Sequence, residues 1–428
     1  MCAPPPSATV SPLDPLARQL SWLRLYALLT YPFACVPFLY LWFGEHGIDE
    51  GRYGEIVGAY YLAMFVAEVP TGMLADRIGA KTMLVAGPVL LASGFLTLLA
   101  SPTYGGFVAG EVLLGLGHAV LSGPPAALLY QTLQHHGATS RFLQEESRLG
   151  ALRMLGTGCS FLLGGILARL GAAGHDAWQA TIVATAVLCS AAAFVATRVH
   201  GGPPSTRLHW PTFARTVALE VRRPAVLWLL GYWVVLFALL RFPFHDYQPY
   251  LREAGRHEPV LLDPLFVGLL FALMNLVAAP LSAIVPRLVA RWGRRPLFWG
   301  MPLLLCGSLL VMAWERQQAA AGFGSRLLAW LGVAMFFVQQ LPFGMHQALL
   351  QEFVNHRIGS ATRTTVLSVL SLGARSVYAG LNVLLFHLQG SSGMATTFLV
   401  VAAAGATATS AVLWLRPRGL LRGEGPVA

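Results

Sequence analysis

Apolar runs of about twenty residues recur along the whole of this 428-residue chain, and only 11% of its residues are charged. Each run is long enough to cross ~30 Å of hydrocarbon as a helix rising about 1.5 Å per residue. A soluble domain carries roughly 25% charged residues. With 56% hydrophobic residues the chain has too few charges to cover a soluble surface of its size. The runs are also too many and too long to be the buried helices of a large soluble protein. The fold expected is all-α and integral to a membrane, with about twelve transmembrane helices.

Those helices are predicted at approximately 22–43, 54–75, 82–101, 105–130, 149–170, 178–198, 225–245, 264–287, 297–314, 326–348, 368–388 and 394–415. Trp22, Trp42, Trp178, Trp228, Trp314, Trp330 and Trp414 fall near their ends, where an amphipathic ring favours the interface. Of the five cysteines, Cys35, Cys159, Cys189 and Cys306 lie in apolar runs without metal-ligand spacing and are expected to be small buried residues. Cys2 stands in a Pro- and Ser-rich stretch that lacks the apolar segment of a secretory signal.

A net charge of +10 would suit a nucleic-acid partner, but the placement of the basic residues indicates topology instead. Most of the 29 Lys and Arg fall in the tails and even-numbered loops, including Arg77, Lys81, Arg141, Arg148, Arg222, Arg223, Arg291, Arg294 and Arg295. The other side carries isolated ones such as Arg52, Arg252, Arg256 and Arg316. The positive-inside bias predicts both termini in the cytoplasm. The longest internal break, residues 199–224, concentrates Gly, Pro and charge after six helices and before six more. The expected organisation is a disordered cytoplasmic tail (1–20), a six-helix bundle (21–198), a cytoplasmic linker (199–224), a second six-helix bundle (225–415) and a tail (416–428). A weak repeat joins the halves: Leu74 to Lys81 reads LADRIGAK, and Leu288 to Arg295 reads LVARWGRR in the equivalent loop. Paired, repeated six-helix bundles are a transporter architecture.

Here the sequence resembles the major facilitator superfamily. The segment Gly72-Met-Leu-Ala-Asp76-Arg77-Ile-Gly79-Ala-Lys81 is similar to that family's signature between its second and third helices. Glu68-Val-Pro70-Thr71-Gly72 is similar to a form found in one bacterial branch, and Arg363 to Arg375, with Ser368 between, to the entry of helix eleven in the same branch. The resemblance implies two bundles related by a pseudo-two-fold axis. It also implies a gating role for Gly72, Asp76, Arg77, Gly79 and Lys81. Physically, Gly79 suits a tight turn, Gly72 would let a neighbouring helix approach, and Asp76 is an anion able to interact with a helix N-terminus. The chain departs from the family in its fourth helix, with Glu111 where an Arg is frequent. It departs again in its fifth, where Gly156, Gly158, Gly164 and Gly165 occur without a Pro, and at Ala290, the repeat partner of Asp76. These departures remove the sequence argument for drug–proton antiport in particular.

Charged groups at membrane depth cost at least ~2.5 kcal/mol on insertion scales, so each is a functional candidate. Glu68 and Arg375 lie at similar depth on helices that face each other in the resembling fold, and an ion pair closing the cytoplasmic gate is expected. The alternative is that each is satisfied within its own bundle. Glu111, Gly115 and His118 share one face of helix four, and a carboxyl beside an imidazole can couple transport to protons. A backbone-satisfied His118 and a Glu111 reaching interfacial water are the alternatives. Tyr26, Tyr31, Asn275, Gln339, Gln340, Tyr378 and Asn382 are candidate substrate contacts, although polar residues in membrane bundles often only bridge helices. Arg241, His245 and Asp246 are expected at the outer end of helix seven as interface anchors.

No G-x-S-x-G, H-E-x-x-H or phosphate-binding G-x-x-x-x-G-K-[ST] is present, so neither an enzyme nor an ATP-driven pump is indicated. No cofactor and no metal are expected. The function expected is secondary active transport of a small organic solute by alternating access, as proton-coupled efflux (an antiporter). The alternatives are proton-coupled uptake of a metabolite, a lipid or lipophile flippase, and a non-transporting membrane sensor. Expected partners are the solute, protons and the lipid bilayer, with no nucleic acid. The resemblance implies a monomer in the bacterial inner membrane.

Overall fold

The structure, a computed structural model, describes residues 15–171, 177–201, 219, 222–357 and 363–417. Most of the expected linker and both ends of the chain therefore lie outside the described residues, as do the side chains of Asp76 and of Arg363 to Ser368. Among the described residues fifteen α-helices follow in order. They are α1 (Pro15–Leu29), α2 (Leu39–Glu45), α3 (Glu50–Ile78), α4 (Ala80–Ala100), α5 (Tyr104–Val120), α6 (Pro124–His135), α7 (Phe142–Leu170) and α8 (Ala177–Arg198) in the first half. The second half holds α9 (Pro224–Ala254), α10 (Pro264–Ala278), α11 (Leu281–Trp292), α12 (Arg294–Gln318), α13 (Arg326–Arg357), α14 (Arg363–Ser392) and α15 (Met394–Trp414). There is no strand among the described residues.

Three of the expected helices are each two helices separated by a break. The first breaks between α1 and α2, where Pro32 and Pro37 interrupt the backbone ladder. The fourth breaks before Pro124 and Pro125, and the eighth at Ala279-Pro280. Counted as spans, α1–α2, α5–α6 and α10–α11 join the nine unbroken helices to make twelve. Among the described residues, 10 are long and apolar enough to cross a membrane by length and composition.

The halves repeat in their caps as well as in their sequence. Asp49 caps α3 by accepting from the backbone N–H of Arg52 at 2.8 Å, and Asp263 caps α10 from that of Phe266 at 3.0 Å. At the other end of the repeat Gly79 (φ +88°) turns α3 into α4, and Gly293 (φ +75°) turns α11 into α12. A Cβ is disfavoured at such angles, which explains the glycine at both positions.

Within the first half α3 and α4 pack on α5, α8 packs on α4, and α1 lies on α7 and α8; within the second, α12 packs on α13 and α15, and α9 on α14 and α15. The halves meet along two seams, α3 against α14 and α7 against α10. At the end that carries Gly47 and Gly393 both seams are tight. A Cβ at Gly54 would lie 2.5 Å from Phe386 Cβ, and one at Gly268 would lie 2.8 Å from the Cα of Gly165. Toward the end that carries Gly79 the seams part: a Cβ at Gly72 or at Gly158 would meet nothing within 4 Å. The close helix approach expected at Gly72 is therefore not made in this conformation.

Candidate functional site

The parting of the seams leaves a cavity of about 1230 Å³ between the halves. It runs from Phe33, Phe43 and Tyr53 at its closed end to Glu146, Gly150 and Ser282 at its mouth. Leu155 and Leu276 line it from opposite halves and are 56% and 68% exposed, so the cavity opens between α7 and α10 at the Gly79 end. The closed end is latched by hydrogen bonds between the halves. Gln248 donates to the carbonyl of Val36 at 2.7 Å and accepts from the backbone N–H of Tyr40 at 2.9 Å. Asn382 donates to the carbonyl of Gly54 at 2.9 Å.

Charged side chains in the cavity divide into paired and unpaired. Arg375, on the cavity wall, donates to Glu68, an ion pair that ties α14 to α3, with both side chains largely buried. Arg153 donates to Glu146 at 2.7 Å within α7. Glu111 has no hydrogen-bond or ion-pair partner among the described residues, and it faces the same cavity. Arg241 likewise has no carboxylate partner there; its guanidinium lies over the rings of Phe237 (5.4 Å), Phe244 (5.8 Å) and Phe343 (6.0 Å).

The expected face of helix four is formed. Glu111 and His118 line the cavity, while Gly115 lets α5 approach α3: a Cβ there would stand 2.4 Å from the carbonyl of Tyr60. His118 Nδ1 is 2.9 Å from the carbonyl of Leu114, and its ring stacks on Tyr31 at 5.6 Å. Tyr31 and Asn275 also line the cavity.

The other five polar candidates lie away from it in this conformation. Tyr26 is buried and donates to the carbonyl of Leu84; Gln339 donates to Ser308 at 3.0 Å and Gln340 to Tyr247 at 3.2 Å. Tyr378 donates to Asn382, which is itself taken up by Gly54. Tyr26, Gln339 and Gln340 bridge helices within their own halves, Tyr378 bonds along α14, and Asn382 bonds across the seam to α3.

The Glu68–Arg375 pair coexists with an open mouth, so it does not by itself seal the Gly79 end, as an ion-pair gate there would require. The pair sits on the α3–α14 seam, whereas the opening runs between α7 and α10. Arg241, His245 and Asp246 are not interface anchors. The helix that holds them continues through Pro243 and Pro249 to Ala254, which puts all three well inside it. Asp246 is fully buried and accepts from Gln389 at 2.8 Å, and His245 Nε2 shares a 2.9 Å hydrogen bond with the hydroxyl of Tyr61 across the halves. Trp42 and Trp228 are buried too, and Cys159 is exposed where a buried residue was expected, because it faces the cavity. Of the loop signature, Arg77 is exposed and Gly79 holds the turn.

Residues 25–381 match the sequence model of the Major Facilitator Superfamily. Over 123 residues the chain is 30% identical to the inner membrane transport protein YajR of Escherichia coli K12, a stretch that spans 28% of this chain and 24% of that one. It is 33% identical over 99 residues to an MFS-type transporter of Aspergillus fumigatus, across 22% of this chain and 23% of the relative. These matches span about a quarter of the relatives' length. The fold is similar to that of the nucleoside transporter NupG (TM-score 0.72, 13% identity, 93% of this chain and 98% of that one). It is also similar to that of a D-xylose–proton symporter (TM-score 0.68, 13% identity, 95% and 98%).

Proposed function

The chain belongs to the Major Facilitator Superfamily and is a multi-pass secondary transporter, not an enzyme, and on that premise we propose that it couples a small organic solute to protons by alternating access. The observation that carries this reading is Glu111, a carboxyl with no partner among the described residues, on the wall of a cavity at membrane depth. A carboxyl there exchanges a proton with whichever side the cavity faces, and its charge then biases the next conformational step.

The two halves, 21–198 and 225–415 joined by 199–224, rock about the cavity. The basic residues at the Gly79 end support a cytoplasmic assignment for that end and for both termini. The cavity is then inward-open, and the latch of Gln248 and Asn382 closes the outside. Gly72, Asp76, Arg77, Gly79 and Lys81 act as the hinge and gate of the cytoplasmic end, and the Glu68–Arg375 pair holds the α3–α14 seam. The E. coli relative's name supports a bacterial inner membrane as the location.

Efflux by proton exchange is the direction supported by the resemblance of Glu68-Val-Pro70-Thr71-Gly72, and it requires solute and proton to compete. A second reading, proton-coupled uptake, is favoured by Arg241, because a protonated Glu111 leaves that cation without a counter-charge and draws in an anion. Inverted and right-side-out vesicles loaded with a metabolite and drug panel separate the two. Exchange accumulates solute against an inward proton gradient, whereas co-transport moves solute with it. Transport of no compound under either gradient would contradict proton coupling altogether.

A further inference from the structure

Three arginines line the cavity, and two of them have a carboxylate: Arg375 has Glu68 and Arg153 has Glu146. Arg241 has none among the described residues. A carboxyl such as Glu111 can be neutralised by taking up a proton, but a guanidinium does not release one. Arg241 therefore remains a fixed cation at membrane depth, where an uncompensated charge is unfavourable and a ligand or ion of opposite sign is taken up. Its guanidinium carbon lies 5.4 Å, 5.8 Å and 6.0 Å from the ring centroids of Phe237, Phe244 and Phe343, so three rings confine it. A guanidinium held in this way presents its N–H groups in a bidentate geometry suited to a carboxylate or phosphate.

The surrounding wall indicates what the rest of the ligand is. Tyr31, Phe33, Tyr60, Tyr61, Phe95 and Phe244 surround the same space, and rings of this kind take a flat apolar body. We propose that the substrate is an organic anion, an aromatic or apolar body carrying one carboxylate or phosphate, and that Arg241 receives the anionic group. This rests on the reading of the cavity as a transport site, and it identifies the class of substrate that the site takes.

The direct test is binding to the purified protein, with matched pairs as probes: phenylacetate and indole-3-acetate against their primary amides, and phenyl phosphate as a second anion. The acids should bind more tightly than the amides by about tenfold or more, the range of one charge-assisted contact. Arg241→Gln should abolish that preference and Arg241→Lys should keep part of it. Equal binding of acid and amide, binding of neither, or an Arg241→Gln protein that still prefers acids would each overturn the proposal. Proteoliposomes separate it from the coupling reading. Acids that bind through Arg241 but ignore a pH gradient would refute proton coupling and leave the anion site standing. Gradient-driven movement of neutral or cationic solutes alone would do the reverse.

Discussion

Gly165 of α7 and Gly268 of α10 meet backbone to backbone where the halves close: a Cβ on Gly268 would lie 2.7 Å from the carbonyl of Phe161 and 2.8 Å from the Cα of Gly165. Only a residue without a side chain permits that seam. A larger residue disfavours the conformer seen here by about 1–3 kcal/mol, the usual penalty for overpacking. Gly268→Leu should therefore shift the protein away from the conformer seen here, which is open at the Gly79 end. Cys159 reports this, because it is exposed in the cavity while Cys35, Cys189 and Cys306 are buried. In a Cys2→Ser background, maleimide labelling of Cys159 should be slower in the Gly268→Leu protein than in the parent. Unchanged labelling would mean that the seam does not set the conformational balance.

The Glu68–Arg375 contact predicts coupling between two residues 307 positions apart in sequence. Removing either partner leaves the other charge buried and unpaired, so the second substitution should cost less than the first. A cycle of Glu68→Gln, Arg375→Leu and the double variant, read as transport rate, should show a coupling of about 0.5–3 kcal/mol. Additive losses would place the two residues in separate roles.

A pH prediction comes from the loop between α9 and α10. Glu258 accepts from Arg326 Nε at 2.6 Å and from the indole N–H of Trp330 at 3.3 Å. The hydrogen bond from Arg326 holds its carboxyl below the usual carboxylate range. A carboxyl depressed in the folded state adds stability above its unfolded pKa, and that stability is lost as the pH falls through the folded value. Melting temperature in detergent should therefore drop as the pH is lowered through that window, and Glu258→Gln should flatten the drop while melting lower than the parent at neutral pH. An equal acid sensitivity in both proteins would remove Glu258 as its source.

Gly293 should tolerate no side chain. An alanine at φ +75° costs roughly 1–2 kcal/mol from contact of Cβ with the backbone. Gly293→Ala should lower the melting temperature, and so should Gly79→Ala at the matching turn. Gly158→Ala, where a Cβ meets open space, should not. Equal effects at all three would argue against a backbone origin.

The helix count, the two halves and the Gly79–Gly293 repeat are legible in the sequence because each leaves a local mark: an apolar run, a break, a glycine between charges. The rotation of each helix leaves none. A membrane helix is apolar on the face turned to lipid and on the face turned to its neighbours, so nothing in the pattern separates Tyr31, on the cavity wall, from Tyr26, which donates into α4. Arg241 and His245 were misplaced for a different reason. The helix expected at 225–245 runs on as α9 through Pro243 and Pro249 to Ala254, as transmembrane helices can where neighbours satisfy the freed backbone. An arginine well inside a helix of 31 residues is the signal that would have located the cavity from that side.

The most direct measurement is solute accumulation in proteoliposomes under an imposed pH gradient, set beside solute exchange with no gradient, for the parent and for Glu111→Gln. If Glu111 carries the coupling proton, the variant should lose gradient-driven accumulation and keep exchange, because alternating access remains while the proton site is gone. A Glu111→Gln protein that still concentrates solute on the pH gradient as the parent does would contradict the assignment.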